Sequence, residues 1–255
     1  MSEKELPKIL ICFALKNAAS YLQKFLTNFE NINYPHDKLR FIITYGKSID
    51  FTLEIIQKWF GERDFPYEIY HEPIMKKLTD DAAYLADLCN EWLSLLKDEK
   101  YVLFLDSDLS YFPPDIFQKL LESNKDIVAP YVYIEGTQIF YDTYVFRTLE
   151  NKKYPAFNPP SHDGKKAIEL QSVGTFFLCK REVIDAGTRW ENPVPALQFC
   201  KNARKLGFKV WALPYVTINH FDLKKVGQSF HKPIEWYISQ GIIPKSEYEK
   251  IKEGL

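Results

Sequence analysis

The first hundred residues of the chain alternate short apolar runs with amphipathic segments. The apolar runs at residues 8–15, 39–45 and 101–105 have the length of buried strands. The segments at residues 16–32 and 80–96 repeat their apolar side chains at helical spacing, and Asn17 is the expected N-cap of the first helix. Strands that alternate with helices predict a parallel sheet, because each helix returns the chain to the start of the next strand. We therefore expect an α/β fold in which ligands bind beyond the carboxyl ends of the strands.

The composition excludes several classes of protein. The chain has 255 residues, of which 46% are hydrophobic, so it can bury a sizeable core. Its 33 basic and 34 acidic side chains nearly cancel, which argues against nucleic acid as a partner. No apolar run approaches the roughly 20 residues of a membrane-spanning helix.

Cysteine usage and the N-terminus predict the compartment. The four cysteines form no Cys-x-x-Cys pair and are expected to be buried, reduced thiols. The N-terminal stretch "MSEKELPK" is polar and charged, unlike a secretory signal. These features predict a cytoplasmic protein.

Two aspartates follow the apolar run "YVLFL", with one residue between them. One interpretation of Asp106-Ser107-Asp108 is a turn, because these side chains readily hydrogen-bond to nearby backbone. The other is a cation site, because two neighbouring carboxylates repel each other unless a positive charge lies between them. Since a buried strand would deliver both aspartates to the ligand-binding edge of the sheet, we favour a site for Mn²⁺ or Mg²⁺.

A histidine late in the chain is a weaker signal. His220, in "INHFD", follows the apolar run "KVWALP" after a short connection. Alone, such a histidine is more often a core residue with its hydrogen bonds satisfied. We predict a separate strand for "VTINHFD", and a long surface loop for residues 150–166, which are rich in proline, asparagine and charge.

Several segments of the sequence resemble one protein family. "YVLFLDSDLSYFPPDIFQKLL" is similar to the metal-binding segment of GT-A glycosyltransferases, and "ICFALKNAASYLQKFL" to the donor-binding half of family-2-like members. "VGTFFLCKREVIDAG" and "QFCKNARKLGFKVWALPYVTINH" resemble the acceptor-side half. With "FYDTYVFR", the layout looks closest to fungal mannosyltransferases of the mannan-polymerase and capsule types.

The resemblance implies a GT-A fold with a mostly parallel, Rossmann-like central sheet flanked by helices and a smaller acceptor-side mixed sheet. It implies one domain over residues 1–222, with a nucleotide-sugar-binding half at 8–108 and an acceptor-side half at 109–222. Residues 223–255 would be a C-terminal extension. The expected activity is the metal-dependent transfer of a hexose, with mannose favoured, from a nucleoside diphosphate sugar to a hydroxyl acceptor.

The resemblance also implies roles for individual residues. Asp106, Asp108 and His220 would bind Mn²⁺ or Mg²⁺, with Asp108 also counted as catalytic. The expected donor-binding residues are Ala14, Leu15, Lys16, Asn17, Tyr45, Lys47, Asp50, Asn90, Asp106 and Ser107. Ala83 stands where relatives carry a basic residue before the Ala-x-x-x-Asn pattern that ends at Asn90.

The chain departs from many relatives where an acidic pair is expected. Pro195 and Ala196 occupy these positions, although an inverting enzyme needs a carboxylate there to accept the proton of the acceptor. Three interpretations remain open. The enzyme is retaining, or another acid serves, or catalysis is lost. The other acids considered are Glu191, Asp142 and Asp185.

The donor would be linked to GDP or UDP, and the acceptor would be a glycan or a lipid-linked molecule. A catalytically silent nucleotide-sugar-binding protein is the main alternative. A sugar nucleotidyltransferase is disfavoured, because the loop "ALKNAAS" lacks glycine. We expect "FHKPIEWYI" to form a packed C-terminal helix, and the alternative is a peripheral contact of Trp236 and Lys232 with a membrane surface. The oligomeric state is open.

Overall fold

A computed structural model describes residues 6–71, 81–160 and 166–221, with residues 81–83 described by their backbone alone. Nine strands in these ranges form one sheet: β1 (Ile9–Leu15), β2 (Leu39–Tyr45), β3 (Tyr67–His71), β4 (Tyr101–Leu105), β5 (Leu109–Tyr111), β6 (Ile127–Ile134), β7 (Ile168–Leu170), β8 (Phe176–Lys180) and β9 (Val210–His220). The helices in these ranges are α1 (Ala19–Glu30), α2 (Thr52–Gly61), α3 (Asp81–Ser94), α4 (Ile116–Glu122), α5 (Arg181–Asp185) and α6 (Pro195–Lys205), with a 3₁₀ turn at His36–Lys38.

The strand order explains where a ligand site can lie. The order is β3-β2-β1-β4-β8-β6-β9-β5, and β7 pairs with β9. Strands β3, β2, β1 and β4 are parallel, whereas β8 runs antiparallel to β4 and to β6. Strands β5 to β9 thus extend the same sheet as a mixed region. The carboxyl ends of β1, β2 and β4 meet at one edge, as predicted for an α/β sheet.

Both faces of the sheet are buried, which is why its strands read as continuous apolar runs. In β1, Ile9, Ile11 and Phe13 pack on the face covered by α1, α2 and α4, while Leu10 and Cys12 pack on the opposite face. Helices α3, α5 and α6 cover that second face. The alternation follows from the two-residue period of a strand. It gives two apolar layers that share one sheet.

The structure changes two predictions of local structure. "VTINHFD" does not form a separate strand, because β9 continues to His220 through an irregular register where Pro130 and Tyr131 pair with Leu213 and Thr217. Asn17 does not cap α1. Ala18 occupies the cap position, and Asn17 has a left-handed backbone with φ of 51°.

Other predictions concern the rest of the chain. Cys12, Cys89, Cys179 and Cys200 are buried and unpaired, as predicted. Across the described ranges, no helix is both long enough and apolar enough to cross a membrane. The proposed membrane contact at Trp236 and Lys232, like the whole extension at 223–255, lies outside the described residues.

Candidate active site

A cleft of about 440 Å³ opens at the carboxyl ends of the parallel strands. Its floor carries Asp106, Ser107 and Asp108, which follow β4 directly. One wall comes from the ends of β1 and β2, and the opposite wall from α3 together with Trp190 and Ala196. The buried strand therefore delivers both aspartates into a concave site, as the sequence predicted.

Backbone hydrogen bonds hold the aspartate loop on both sides. The Asp106 N–H donates to the carbonyl of Thr175 at 2.7 Å. The carbonyl of Asp108 accepts from the Phe221 N–H at 3.0 Å, and Leu109 in β5 pairs with His220 in β9. This pairing brings a histidine from the end of β9 beside Asp108.

His220 is completely buried and fixed on several sides. Its Nδ1 donates to the carbonyl of Phe221 at 2.8 Å, and the Tyr141 ring stacks on the imidazole with centroids 3.6 Å apart. Because Nδ1 faces a carbonyl, a neutral ring carries its lone pair on Nε2. That Nε2 lies 2.9 Å from Oδ1 of Asp108, yet neither atom has an aligned hydrogen-bond partner.

The charges at the floor shift the pKa values of its groups. Asp106 is exposed in the cleft, but the surrounding walls displace bulk water, and this desolvation together with the charge of Asp108 raises its pKa to about 7. Burial alone would lower the pKa of His220, but the Asp108 carboxylate outweighs burial and raises it.

These residues fit a divalent cation, although the described part of the chain holds no three acidic, histidine or cysteine side chains already gathered around one point. Oδ1 of Asp108 and Nε2 of His220 are buried and face each other, and neither makes an aligned hydrogen bond, so both are available as ligands when the imidazole is neutral. Adjacent ligands of an octahedral ion lie about 3 Å apart, given bonds of about 2.1 Å, which matches their 2.9 Å separation. The exposed carboxylate of Asp106 would be the third predicted ligand.

Asp142 lies beneath the same floor. Its side chain is buried, its Oδ2 has no hydrogen-bond partner, and burial raises its pKa to about 6. A Cβ added to Gly174 would lie 2.7 Å from this Oδ2, so only glycine leaves room for the carboxylate. Thr175, the next residue, lines the cleft. The sequence singled out Asp142 but gave no role to Gly174 or Thr175. The glycine that interrupts the apolar run "SVGTFFLC" was the available signal.

Half of the predicted donor-binding residues line the cleft. These are Ala14, Leu15, Lys16, Asp106 and Ser107. Tyr45, Lys47, Asn17, Asp50 and Asn90 do not contribute to its lining. Gly46, which lies between Tyr45 and Lys47, does contribute, and so does Tyr21, which sequence reasoning did not assign.

Asp50 and Asn17, two of the five residues outside the cleft lining, form hydrogen bonds with nearby backbone N–H groups. Oδ2 of Asp50 accepts from the Ala19 N–H at 3.0 Å, and its Oδ1 accepts from the Thr52 N–H at 3.1 Å. Oδ1 of Asn17 accepts from the Ile49 N–H at 3.0 Å. These contacts fix the loops after β1 and β2. Contacts of these residues with a donor stay predictions.

Asn90 connects α3 to the loop before α6. Its side-chain amide donates to the carbonyl of Trp190 at 3.0 Å and accepts from the Trp190 N–H at 3.0 Å. This pair of hydrogen bonds joins two parts of the same wall of the cleft, and the contact of Asn90 with a donor stays a prediction. Trp190 stacks on Phe199 of α6 with centroids 4.7 Å apart, so Asn90 fixes the wall that includes Ala196.

The expected acidic pair is absent from the cleft. Pro195 begins α6 and is buried, while Ala196 lines the cleft. Glu191 is exposed and lies outside the lining. Asp185 pairs with Arg181 at 3.2 Å on the surface. Of the three acids considered, Asp142 alone is buried under the cleft floor.

The fold and the site together define a class of protein, the GT-A glycosyltransferases. Solved structures with the same fold include a mannosyltransferase from Pyrobaculum calidifontis in complex with GDP-Man and Mn²⁺ (TM-score 0.56, 16% identity, 85% of this chain and 57% of that chain). TarS from S. aureus in complex with UDP-GlcNAc is another (TM-score 0.62, 11% identity, 96% of this chain and 70% of that chain).

Sequence comparison then gives the family. Residues 6–154 match the N-terminal domain of glycosyltransferase family 25, and the chain belongs to that family. It is also 23% identical over 273 residues to the mannan polymerase II complex anp1 subunit of Schizosaccharomyces pombe, covering 84% of this chain. The match spans 64% of the length of that relative. The predicted relationship to fungal mannosyltransferases is confirmed.

Proposed function

We propose that this chain transfers a hexose, with mannose favoured, from a nucleoside diphosphate sugar to a hydroxyl acceptor, with a divalent metal ion bound by Asp106, Asp108 and His220. The observation that carries the proposal is the buried pair of Asp108, which lines the cleft, and His220, whose Oδ1 and Nε2 atoms lie 2.9 Å apart without an aligned hydrogen bond. Family membership supports the reaction class, and the mannan polymerase relative supports mannose.

A bound Mn²⁺ or Mg²⁺ would stabilise the negative charge that grows on the departing diphosphate. The protein contributes the remaining functions. Lys16 is exposed at the cleft and has the charge to contact the diphosphate. The apolar wall of Leu88, Trp92 and Trp190 excludes water that would hydrolyse the donor.

The reaction is proposed to retain the anomeric configuration. An inverting reaction needs a carboxylate that accepts the acceptor proton, but Ala196 occupies the expected wall and Glu191 is exposed outside the lining. In a retaining reaction the departing phosphate can accept this proton. If another acid serves, Asp142 is favoured by its position under the cleft floor. NMR of the first product distinguishes retention from inversion through the one-bond coupling between C1 and H1, because the coupling of H1 to H2 is small in both anomers of a mannoside.

The remaining features of the substrates and partners are also proposals. A GDP- or UDP-linked donor agrees with the ligands named for the two structural neighbours. A glycan or lipid-linked acceptor remains the proposed second substrate. Because the anp1 relative is named as a subunit of a complex, assembly with other chains is proposed too. The expected cytoplasmic location stays a prediction that rests on the four buried free cysteines.

The decisive test is replacement of Asp108. Asp108→Ala should lower both donor hydrolysis and transfer by at least about a hundredfold, because metal stabilisation of the leaving group contributes several kcal/mol. EDTA should abolish the wild-type activity. Asp98→Ala is the matched control, because Asp98 is an exposed carboxylate paired with Lys8 at 2.6 Å. Full turnover by Asp108→Ala, with EDTA harmless, would refute the metal-dependent mechanism.

A silent nucleotide-sugar-binding protein is the second candidate, because Pro195 and Ala196 replace the expected acids. A thermal-shift series with GDP, UDP and Mn²⁺ separates the two candidates when it is combined with donor hydrolysis. Stabilisation without hydrolysis or transfer would favour the silent binder.

A further inference from the structure

A short hairpin at residues 146–154 lies between β6 and β7, outside the named strands of the sheet. The Thr148 N–H donates to the carbonyl of Lys152 at 3.0 Å, which closes a loop of three residues. Asn151 ends this loop with φ of 62°, a left-handed conformation that asparagine tolerates and that three-residue hairpin loops use. The hairpin therefore follows from the turn chemistry of its own sequence.

This hairpin places two positive charges directly opposite each other. Arg147 and Lys153 form an antiparallel pair. The hydrogen bond of the turn lies on one side of the pair, and the Tyr154 N–H donates to the carbonyl of Phe146 at 3.1 Å on the other. Arg147 and Lys153 are therefore a non-hydrogen-bonded pair, the type with the closer side chains, in which opposed like charges are destabilising. Within the described part of the chain, neither forms an ion pair with an acid.

The ring of Tyr144 holds both cations at one place on the surface. The Tyr144 side chain is 54% exposed. The guanidinium carbon of Arg147 lies 5.4 Å from the centroid of this ring, and Nζ of Lys153 lies 5.2 Å from it. Attraction to the π-electrons of the ring restrains both cations. Because the two charges are already gathered, an anion that binds between them has less side-chain freedom to remove.

The hairpin is tied to the backbone that enters the cleft. The Arg147 N–H donates to the carbonyl of Ser172 at 3.2 Å. Thr175, three residues after Ser172, lines the cleft, and three residues span at most about 11 Å. Tyr141, three residues before Tyr144, also lines the cleft. The pair of cations therefore lies at a distance from the cleft that a short oligosaccharide spans.

We propose that Arg147 and Lys153 bind a phosphate group of the acceptor while the accepting hydroxyl of the same glycan lies in the cleft. This inference rests on the proposed function and deepens it, because it names the class of acceptor as a phosphorylated glycan. Guanidinium and ammonium groups are common partners of phosphate oxygens, and two cations match the nearly two negative charges of a phosphate monoester.

An anionic membrane is the competing partner for this surface, because Leu149 and Phe157 are exposed on the same segment. Membrane-binding clusters usually contain about four to eight basic side chains. Residues 140–160 contain three, Arg147, Lys152 and Lys153, together with two acids. The closely opposed pair of charges thus favours one bound phosphate over a charged surface.

The experiment measures the binding of mannose 6-phosphate and of methyl α-mannoside by saturation-transfer difference NMR. The wild type should bind the phosphorylated sugar about tenfold more tightly than the neutral one, because two charge-assisted contacts are added. Arg147→Met and Lys153→Met should each weaken the binding of mannose 6-phosphate by about threefold or more, the size expected for an exposed charge contact. Lys153 is exposed, so Lys153→Met decides the test even if Arg147→Met does not fold.

Lys152→Met is the matched control. It removes the same charge from the same hairpin, but neighbouring residues of a strand point to opposite faces. Its affinity for mannose 6-phosphate should therefore stay within about twofold of wild type. An equal loss in Lys152→Met and Lys153→Met would show that only the overall charge acts, and the inference would be wrong.

Two further probes identify the other possible occupants. GDP with Mn²⁺ reports on the proposed donor site, and vesicles of phosphatidylcholine with phosphatidylglycerol report on a membrane. Loss of GDP affinity in Arg147→Met and Lys153→Met, with mannose 6-phosphate unaffected, would assign the cations to the donor and overturn the inference. Binding of the vesicles without binding of mannose 6-phosphate would overturn it in favour of a membrane.

The same probes separate this inference from the proposed function. If the wild type binds GDP with Mn²⁺ but binds mannose 6-phosphate no better than methyl α-mannoside, the inference alone fails. If the wild type binds mannose 6-phosphate through Arg147 and Lys153 but does not bind GDP with Mn²⁺, the phosphate site stands and the proposed function fails.

Discussion

At the scale of single residues, Gly174 matters because of the atom it lacks. The added Cβ of alanine would lie 2.7 Å from Oδ2 of Asp142 and 3.0 Å from two carbon atoms of Val145. Real Cβ atoms do not approach other atoms so closely, so Asp142 must shift. Gly174→Ala should lower the free energy of unfolding by about 1–3 kcal/mol, as overpacking usually does. Urea denaturation followed by circular dichroism measures the change.

Gly61→Ala is the matched control for this substitution. Gly61 ends α2, and nothing lies within 4 Å of an added Cβ. Alanine in a helix is more favourable than glycine by about 0.5–1 kcal/mol, so this variant should be neutral or stabilised. Equal stability of Gly174→Ala and wild type would show that the carboxylate of Asp142 can move away at no cost.

At the scale of elements, Arg40 of β2 forms hydrogen bonds to β3 and to the segment that connects α3 with β4. Its Nε donates to Glu99 at 2.5 Å, and its two terminal nitrogens donate to Glu68 at 3.0 Å and to the carbonyl of Leu95 at 2.6 Å. Glu99 is almost completely buried, just before β4. Burial favours a raised pKa for Glu99, but the hydrogen bond and charge of Arg40 outweigh burial and lower it.

Arg40→Met should therefore reveal a dependence of stability on pH. In the wild type, the lowered pKa means that the stabilisation is present above the unfolded-state pKa of Glu99 and is lost as pH falls through the folded-state value. The variant leaves a buried carboxylate without its counter-charge, with only the Lys97 N–H still donating to it at 2.7 Å, and should lose about 3 kcal/mol at pH 7. The difference from wild type should shrink toward acidic pH, because the unpaired carboxyl takes up a proton. Urea denaturation at several pH values measures this difference.

The exposed pair Lys8–Asp98 provides the control for Arg40. Lys8→Met should change the free energy of unfolding by less than about 1 kcal/mol, because exposed ion pairs contribute little. A loss in Arg40→Met that is the same at every pH would contradict the assigned role of Glu99.

The strands and helices were the part of the fold that the sequence predicted well. Apolar runs and helical periodicity placed β1, β2, β4 and α3 because these signals are local. The local signal failed for β9. Pro214 and Tyr215 suggested that one strand ends and another begins, whereas β9 continues through both residues with an irregular register. Asn17 looked like a helix cap, but its side chain serves the loop after β2 instead.

The candidate site was predictable only where one segment carries it. Asp106 and Asp108 are close in sequence and follow a strand, so their placement in the cleft could be inferred. Thr175 could not be found in this way, because its partner Asp106 belongs to a distant strand and meets it only through the pairing of β4 with β8. The contact of Asn90 with Trp190 was hidden for the same reason, since 100 residues separate them.

At the scale of the whole molecule, the two halves share one sheet. Strands β4 and β8 join them, with five residue pairs from Tyr101–Lys180 to Leu105–Phe176. Because this junction is buried on both faces, we expect the described part of the chain to unfold as one cooperative unit. Circular dichroism and tryptophan fluorescence should give the same denaturation midpoint.

One substitution in each half, on opposite faces of the sheet, tests this cooperativity. Phe41→Leu affects the layer under α1 and α2, and Phe199→Leu affects the layer under α6. Each should lower the common midpoint in both measurements, with a loss of about 1 kcal/mol or more. Separate transitions, each sensitive to one substitution, would show instead that the halves unfold independently.

The pairing of β5 with β9 has a consequence for the order of events during synthesis. The side chain of Ser110 donates to the carbonyl of Asn219, 109 residues later, and His220 reaches Asp108 through the same pairing. A nascent chain can therefore form β1 to β4 while the histidine has not yet been translated. The aspartates emerge from the ribosome early, and the proposed cation site is completed only when the end of β9 has followed them. A chain that stalls between these points would carry the parallel strands without the histidine of that proposed site.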